Sequence, residues 1–354
     1  MKILDNPPIC IVITTYFRAE SLAKVLNSIL ALNYPKDLIE VIISLVPNDT
    51  NALKISEEFK ARGIKLEIVT INVDSADVGR NTGIKKCGSE IVAVVDDDVV
   101  LDPETANIAL KYLRDERVVA VGFPAITSSP SFDEKLHHWR FLGLKAVEVA
   151  TVMPVTFYKR SMLLKIGLYR EDMGPPLTIH EDWELGSRIR RSGYKVLVSG
   201  ELYMLHIENH LGSRNEDIGI AVDRHKWSIL VNMLRMFTKH VIWYFKAYTS
   251  KHWWSFFQVL KVSHSSQKLE YAVYYMIPPI AILILVTNIF WFLAFLVVVL
   301  AFIEVYSFIR GYYRVLSARE RLVYPVILVL VRVTRSYLAL IGLLYNIVRK
   351  AMKG

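Results

Sequence analysis

From Tyr271 to Ile309 the chain carries a single charged residue, Glu304. A run that long and that apolar has few ways to fold. At roughly 20 residues per membrane-crossing helix it exceeds one span and suits two. Thr287-Asn288 is the natural tight turn, which gives helices over about 272–286 and 289–309, with Pro278-Pro279 placed to kink the first. The next stretch, RGYYRVLSARER, holds Arg310, Arg314, Arg319 and Arg321, and the positive-inside rule puts it on the cytoplasmic side. A third apolar segment, 322–348, is interrupted by Arg332 and Arg335 and followed by Arg349, Lys350 and Lys353. Arginine in lipid needs a partner or must reach the headgroups. This segment is therefore either a third span with its arginines turned to a partner, such as Glu304 or a lipid phosphate, or a helix that does not fully cross or follows a re-entrant path.

The residues before this run follow another rhythm. ICIVIT (Ile9 to Thr14), IEVIIS (Ile39 to Ser44), KLEIVTI (Lys65 to Ile71) and EIVAVV (Glu90 to Val95) are short, β-branched apolar runs that read as buried strands. Between them, RAESLAKVLNSIL sets Leu22, Val25, Leu26, Ile29 and Leu30 on one helical face. Residues 51–62 and 77–86 are also helical, the first of them stopped by Gly63. Strands alternating with helices imply an α/β fold: a mostly parallel sheet with helices on both faces, whose ligands bind beyond the carboxyl ends of the strands.

The chain carries a net charge of +9, but its first part mixes signs, and a basic, aromatic character sets in only from about Arg224. That bias suits an anionic membrane surface. Zinc-ligand spacing and RNA-binding signatures are missing, so nucleic acid is not an expected partner. Between Trp227 and Lys261, aromatics such as Trp243, Tyr244, Trp253, Trp254, Phe256 and Phe257 interleave with Arg235, Lys239, Lys246 and Lys251. The mixture reads as amphipathic helices in the membrane interface, with a helix packed on the preceding domain as the alternative. The expected division is an α/β domain over 1–226, interfacial helices over 227–270 and a membrane module over 271–354. Cys10 and Cys87 read as packed separately, one in a strand and one at a helix end, with no framework of bridges; this fits a reducing compartment. MKILDNPP and the short run Ile9 to Ile13 do not make a signal peptide.

Four features carry chemistry. Asp96-Asp97-Asp98 follows the apolar strand EIVAVV directly. Three carboxylates at a buried strand end repel one another unless a divalent cation shares the site. A solvated turn or a helix cap is the ordinary alternative, but Asp102 with Pro103 behind it already reads as the next cap. In HEDWELGSRIRRSGYKV, Glu181 and Asp182 open a helix, where acids complement the dipole, and Gly193 ends it before the strand YKVLVS. GPPLT, just upstream, is a loop able to set those acids at a cleft edge. Arg80, in VGRNTGIKKCGSE, starts a helix near where ligand phosphates would lie, a surface arginine being the plain alternative. His206, in ELYMLHIENH, is either a hydrogen-bonded structural residue or a ligand.

Together and in this order, these features resemble family 2 glycosyltransferases of the GT-A fold, over about Pro8 to Arg224, plus the membrane hairpin of polyprenyl-linked members. The resemblance implies a Rossmann-like sheet, a nucleotide-sugar donor and a divalent metal, Mn2+ or Mg2+. ITTYFR looks like the first-strand motif, so that Thr15, Tyr16 and Arg18 would approach the donor. Asp96 and Asp98 look like the ends of the DxD motif. Asp96 and Asp97 would face the nucleotide, and Asp98, with Asp96 and His206, the metal. Arg80 falls in the family's segment of arginine, asparagine and glycine and would clamp the diphosphate. Glu181-Asp182 matches the ED motif, with Asp182 as catalytic base and Trp183 at the acceptor. The family usually has proline where Thr14 stands, asparagine where Phe17 stands, and an Asp-Asp or Asp-Gly pair after the second strand that reads the base, for which Asp49 in SLVPNDT is a displaced candidate. The QxxRW motif of processive synthases is absent, RHKW (Arg224 to Trp227) being a faint echo, so one sugar is expected per encounter. The implied enzyme is an inverting, multi-pass membrane protein with its catalytic domain in the cytoplasm. Its acceptor is lipid-linked, either a polyprenyl phosphate held by Arg332 and Arg335 or a sugar hydroxyl. The rival readings are a nucleotidyltransferase, against which the glycine-free TTYFRAES counts, and a non-catalytic nucleotide-binding membrane scaffold.

Overall fold

The short β-branched runs at the start of the chain pair as parallel strands. The structure is a computed structural model that describes residues 6–127, 134, 137–173, 180–207, 237–238, 241–242, 244–245, 255–263, 265–309, 311–316 and 318–352. It divides into two units, Met1–Pro130 with His137–His210, and Ser131–Leu136 with Leu211–Gly354.

In the first unit, β1 (Ile9–Thr14) lies between β2 (Ile39–Leu45) and β4 (Ile91–Asp96), parallel to both, and β3 (Lys65–Thr70) continues the sheet beyond β2. Residues Ile9 to Ile13 are each at most 1 % exposed, as a strand covered on both faces must be. Beyond β4 the sheet becomes mixed. β9 (Val155–Lys159) runs antiparallel between β4 and β6 (Val118–Phe123), β10 (Lys195–Val198) is parallel to β6, and β8 (Val147–Val149) closes the edge antiparallel. A small second sheet has the order β5 (Val99–Val100), β11 (Met204–His206), β7 (Ala125–Ile126).

The helices of this unit are α1 (Ala19–Leu30), α2 (Thr50–Ala61), α3 (Ala76–Lys86), α4 (Thr105–Leu113), α5 (Arg160–Ile166) and α6 (Glu181–Arg191). Successive residues of β1 point to opposite faces. Ile9, Ile11 and Ile13 join Leu22, Val25 and Leu26 of α1, whereas Cys10 and Val12 join Ile84 of α3 and Leu185 and Ile189 of α6. The helix after the acid triplet starts at Thr105 rather than behind Asp102. The Asp102 carboxylate accepts from the N–H of Glu104 (2.8 Å) and its carbonyl from the Thr105 hydroxyl (2.6 Å), a turn that precedes the helix.

One expectation is overturned here. Cys10 and Cys87 are not separate thiols but a disulfide, with Cα atoms 5.9 Å apart. The cause is the close seat of α3 on β1. A Cβ on Gly83 would lie 2.3 Å from Val12 Cγ1, and one on Gly79 2.4 Å from Thr14 Cγ2. Only glycine permits that approach, which brings the C-terminal end of α3 against Cys10. The bond removes the argument from separate thiols to a reducing compartment.

In the second unit, α7 (Ser255–Val262), α8 (Ser265–Thr287), α9 (Ile289–Ile309) and α10 (Ala318–Ala351) follow in order. The turn is where the sequence puts it: the Asn288 N–H donates to the Ile284 carbonyl (2.8 Å), and its side-chain oxygen accepts from the N–H of Phe290 (2.8 Å). α8 begins earlier than expected, and α10 is one continuous helix that overruns 322–348 at both ends. Lys268–Val286 and Val329–Arg349 are long and apolar enough to cross a membrane by length and composition, and Ile289–Phe302 is a shorter apolar stretch. Trp227, Arg235, Lys239, Trp243, Lys246, Lys251, Trp253 and Trp254, like GPPLT and RHKW, lie outside the described residues.

Arg332 and Arg335 turn to protein partners. Arg332 lies 3.4 Å from Glu270 and donates to the Tyr271 hydroxyl (3.0 Å); Arg335 donates to the Tyr244 hydroxyl (3.3 Å) and stacks over the Tyr271 ring. Glu304, the expected alternative partner, accepts instead from the Tyr313 hydroxyl. Tyr275 and Tyr337 complete the seam between α8 and α10, each donating its hydroxyl to a carbonyl of the other helix, of Ser336 and Tyr275 respectively (both 2.9 Å).

Candidate active site

Register decides what stands at the strand ends. Thr14 pairs with Ser44 on one side and Asp96 on the other, so the chain leaves β1, β2 and β4 at one level.

After β1 the chain runs through Thr15, which is buried, to Tyr16 and Phe17, which are 39 % and 53 % exposed and pack edge to face. Phe17 has φ +53°, in the left-handed region. Its N–H donates to Asp49 Oδ2 (2.5 Å), while Asp49 Oδ1 accepts from Ala52 N–H (3.0 Å) and caps α2. Asp49 is 1 % exposed, and both its oxygens serve the backbone. It ties the loop after β1 to the loop after β2.

After β4, Arg18 meets the acid triplet. Its Nη1 lies 3.0 Å from Asp97 Oδ1 and 2.7 Å from Asp98 Oδ2. The second sheet delivers His206: β11 pairs with β5, the Ile207 N–H donates to the Asp98 carbonyl (2.8 Å), and His206 Nε2 reaches 3.5 Å from Asp98 Oδ1. Burial pushes Asp97 up to about 6 against the pull of Arg18. Burial works the same way on Asp98, but the hydrogen bond and charge of His206, followed by the charge of Arg18, overcome it and hold that carboxyl below its ordinary value.

The third part of the site is built around Arg80. Its Nη2 lies 2.9 Å from Asp96 Oδ1, and its Nη1 lies 3.4 Å from Asp77 Oδ1 and 3.6 Å from Glu181 Oε1. The guanidinium stands over the Tyr169 ring, 5.1 Å from its centre. Arg80 thus links the acid triplet to the first turn of α6 and is largely buried between carboxyl groups, rather than open to a ligand. Burial, and after it the charge of Glu181, raises Asp182 well above the carboxylate range; burial also raises Glu181, with Arg80 pulling back. The backbone fixes α6 through the Asp182 carbonyl, which accepts from Val152 N–H (3.2 Å), and His180 precedes it with φ +65°, its ring edge-on to Trp183.

Among the described residues, no group of three or more His, Cys, Asp or Glu side chains is arranged to hold a metal ion. A divalent cation that also binds phosphates takes only one or two carboxylates from the protein. Asp98 Oδ1 and His206 Nε2 face each other at 3.5 Å, an oxygen and a nitrogen of the kind such an ion takes, while Arg18 holds the other carboxylate oxygen, Oδ2. The donor set therefore fits such an ion. Asp96 is turned to Arg80.

Reading the sequence alone left out Asp77, Asn81 and Tyr169. Asn81 clamps the backbone of Tyr169 from both sides, its amide donating to the carbonyl (2.8 Å) and its oxygen accepting from the N–H (3.0 Å). That places the Tyr169 ring under Arg80 and its hydroxyl 2.7 Å from that of Tyr158. The signal for Asn81 was its place beside Arg80; for Tyr169, 88 positions away, there was none.

Residues 10–172 match the model of a protein family described as "Glycosyl transferase family 2". The match takes in Arg18, Arg80 and the acid triplet; α6 and His206 lie beyond it. A search of curated proteins found no match. Among solved structures, the mannosyltransferase PcManGT from Pyrobaculum calidifontis, in complex with GDP-Man and Mn2+, aligns over 90 % of this chain and 87 % of its own, with a TM-score of 0.53 and 15 % identity. S. aureus TarS 1-349, in complex with UDP-GlcNAc, aligns over 68 % of this chain and 67 % of its own, with a TM-score of 0.49 and 17 % identity. At 15 % identity the likeness to the Pyrobaculum enzyme is one of fold.

Proposed function

We propose that the first unit is an inverting glycosyltransferase that moves one sugar from a nucleotide-sugar to an acceptor, aided by a divalent metal. The observation that carries this reading is a juxtaposition. The segment that matches family 2 ends its central strand in Asp96-Asp97-Asp98, and Arg80 joins that triplet to Glu181-Asp182. The Pyrobaculum mannosyltransferase in complex with GDP-Man and Mn2+ supports the same donor class and metal type.

Asp98 and His206 would hold the metal, which supplies positive charge to the departing nucleoside diphosphate. Arg18 is the cation best placed to meet the phosphates, being 29 % exposed where Arg80 is 11 %. Tyr16 and Phe17 offer aromatic surface at the same edge, and Thr15 and Asp97 line its floor. Asp182, raised in basicity by its burial and then by the charge of Glu181, takes the proton of an acceptor hydroxyl as that oxygen attacks the sugar, and Trp183 flanks it at the acceptor side. The apolar stretches Lys268–Val286 of α8 and Val329–Arg349 of α10 support a membrane-bound enzyme, and a lipid-linked acceptor is the substrate that such an anchor would serve. Arg332 and Arg335 serve the helix seam in this reading, because their partners are Glu270, Tyr271 and Tyr244.

The test uses the full chain in detergent with Mn2+, a panel of nucleotide-sugars and a lipid extract. Lipid-dependent release of nucleoside diphosphate from one donor is the expected result. Asp98→Ala should abolish metal-dependent donor binding. Asp182→Asn should lower turnover at least 100-fold if the acceptor is a hydroxyl, and little if it is a phosphate, which needs no base. Release of pyrophosphate would make the protein a nucleotidyltransferase, and no release from any donor would leave a nucleotide-binding scaffold. Recovery in the soluble fraction without detergent would remove the membrane assignment.

A further inference from the structure

Asp77 is the carboxyl group of the site that the mechanism leaves without a task. It sits in the first turn of α3, but Ser75 already caps that helix through Val78 N–H (3.4 Å), so the helix start does not depend on it. Its side chain is fully buried. Oδ1 faces Arg80, and Oδ2 is buried with no hydrogen-bond partner. An ionised carboxylate with one oxygen in that state pays a desolvation cost that a neutral acid largely avoids.

The groups around it explain why it persists. On its own helix stands Arg80; from α6 come Glu181 and Asp182; from the turn at 171–173 comes Glu171, held by Asn81 (2.9 Å). Across Arg80 lies Asp96 of β4. Asp77, Asp96 and Glu181 thus surround one guanidinium, and Asp182 lies close enough to feel its charge. Four negative charges on one cation in a half-dry site are not tolerable, so protons must be retained among them.

We propose that Asp77 is a positioning residue for glycosyl transfer: it holds the Arg80 guanidinium between Asp96 and Glu181, and shares a retained proton with the Glu181-Asp182 pair. This rests on the function proposed above. Burial, then the charge of Glu181, lifts Asp77 to about 7, with Arg80 pulling the other way. An aspartate has a pKa near 3.9 in an unfolded chain. A folded value above that contributes stability that is fully present below about pH 4 and lost as the pH rises through about 7.

Asp77→Asn keeps an oxygen for Arg80 and cannot ionise; Asp77→Ala keeps neither function. Both are compared with the wild-type full chain in detergent, by thermal unfolding across pH 4 to 8 and by the pH profile of donor turnover with Mn2+. We expect Asp77→Asn to flatten the decline of Tm between about pH 4 and 7, and to move the acidic limb of turnover down by about half a pH unit or more, because a like charge beside Asp182 is gone. Asp77→Ala should lose about tenfold or more in kcat with little change in KM, through a displaced Arg80, and Asp77→Asn should recover most of that loss. An Asp77→Asn protein with the wild-type Tm slope and the wild-type pH profile overturns the proposal, as does Asp77→Ala with full kcat. If the wild type turns over no nucleotide-sugar, the glycosyltransferase reading fails, and the Tm comparison alone decides whether Asp77 holds the shared proton.

Discussion

Phe17 occupies a left-handed conformation that asparagine or glycine tolerates far better than a bulky aromatic. It is also half exposed at the strand ends, so no core packing repays the strain. The residue is explained if the ring meets a ligand. Phe17→Asn should therefore stabilise the protein by about 1 kcal/mol, since it relieves backbone strain while keeping the N–H that Asp49 accepts. The same change should weaken nucleotide binding. Unfolding and titration with nucleoside diphosphate check the two halves, and a variant that loses stability, or binds nucleotide unchanged, would refute them. Asp49 shows why a sequence reads ambiguously at this scale. An acid after the second strand fits both a base-reading role and a helix cap, and only the distances to Phe17 and Ala52 show where its oxygens point.

α3 is the element on which the site depends most, because it carries Asp77, Arg80 and Asn81 and is tied to its strand by glycine. Gly83→Val would force the helix away from Val12, at a cost of about 1–3 kcal/mol. Activity should fall further than stability, because Arg80 moves with the helix; thermal unfolding and donor turnover on the same sample separate the effects, and full turnover in a folded variant would refute the dependence. What could be read from the sequence follows from where the information lies. β1 to β4 announce themselves because a buried parallel strand is a local apolar run. β5, β7 and β11 are two or three residues long and exist only because Met204–His206 returns to Val99–Val100 and Ala125–Ile126, which nothing local encodes. The acid triplet was legible as charges out of place, whereas Glu181-Asp182, ordinary at a helix start, gained weight only from the GPPLT loop before it and the motifs in its company. Their connection through Arg80 was not, since an arginine beside a helix start is ordinary on most surfaces. Asp102 misled for the opposite reason: Asp-Pro is a strong cap signal, and here it shapes the turn before the cap.

The whole molecule joins two kinds of interior. The first unit buries its apolar side chains around a sheet, while the second leaves Phe290, Trp291 and Phe308 more than two-thirds exposed and turns Arg332, Arg335 and Tyr271 inward. That inversion suits the membrane-bound reading proposed above, in which polar groups on the apolar helices must find one another. Within the first unit, the bond between Cys10 and Cys87 joins positions 77 apart, so that α1, β2, α2, β3 and α3 all lie inside a closed covalent ring. A ring survives a single cut. Trypsin acting after Arg62, exposed in the turn between α2 and β3, would open the chain without dividing it. The cut protein should run as one species on a gel without reductant and as two fragments with it. The N-terminal fragment, which carries Arg18 and Asp49, would stay covalently attached to the part that carries Arg80 and the acid triplet.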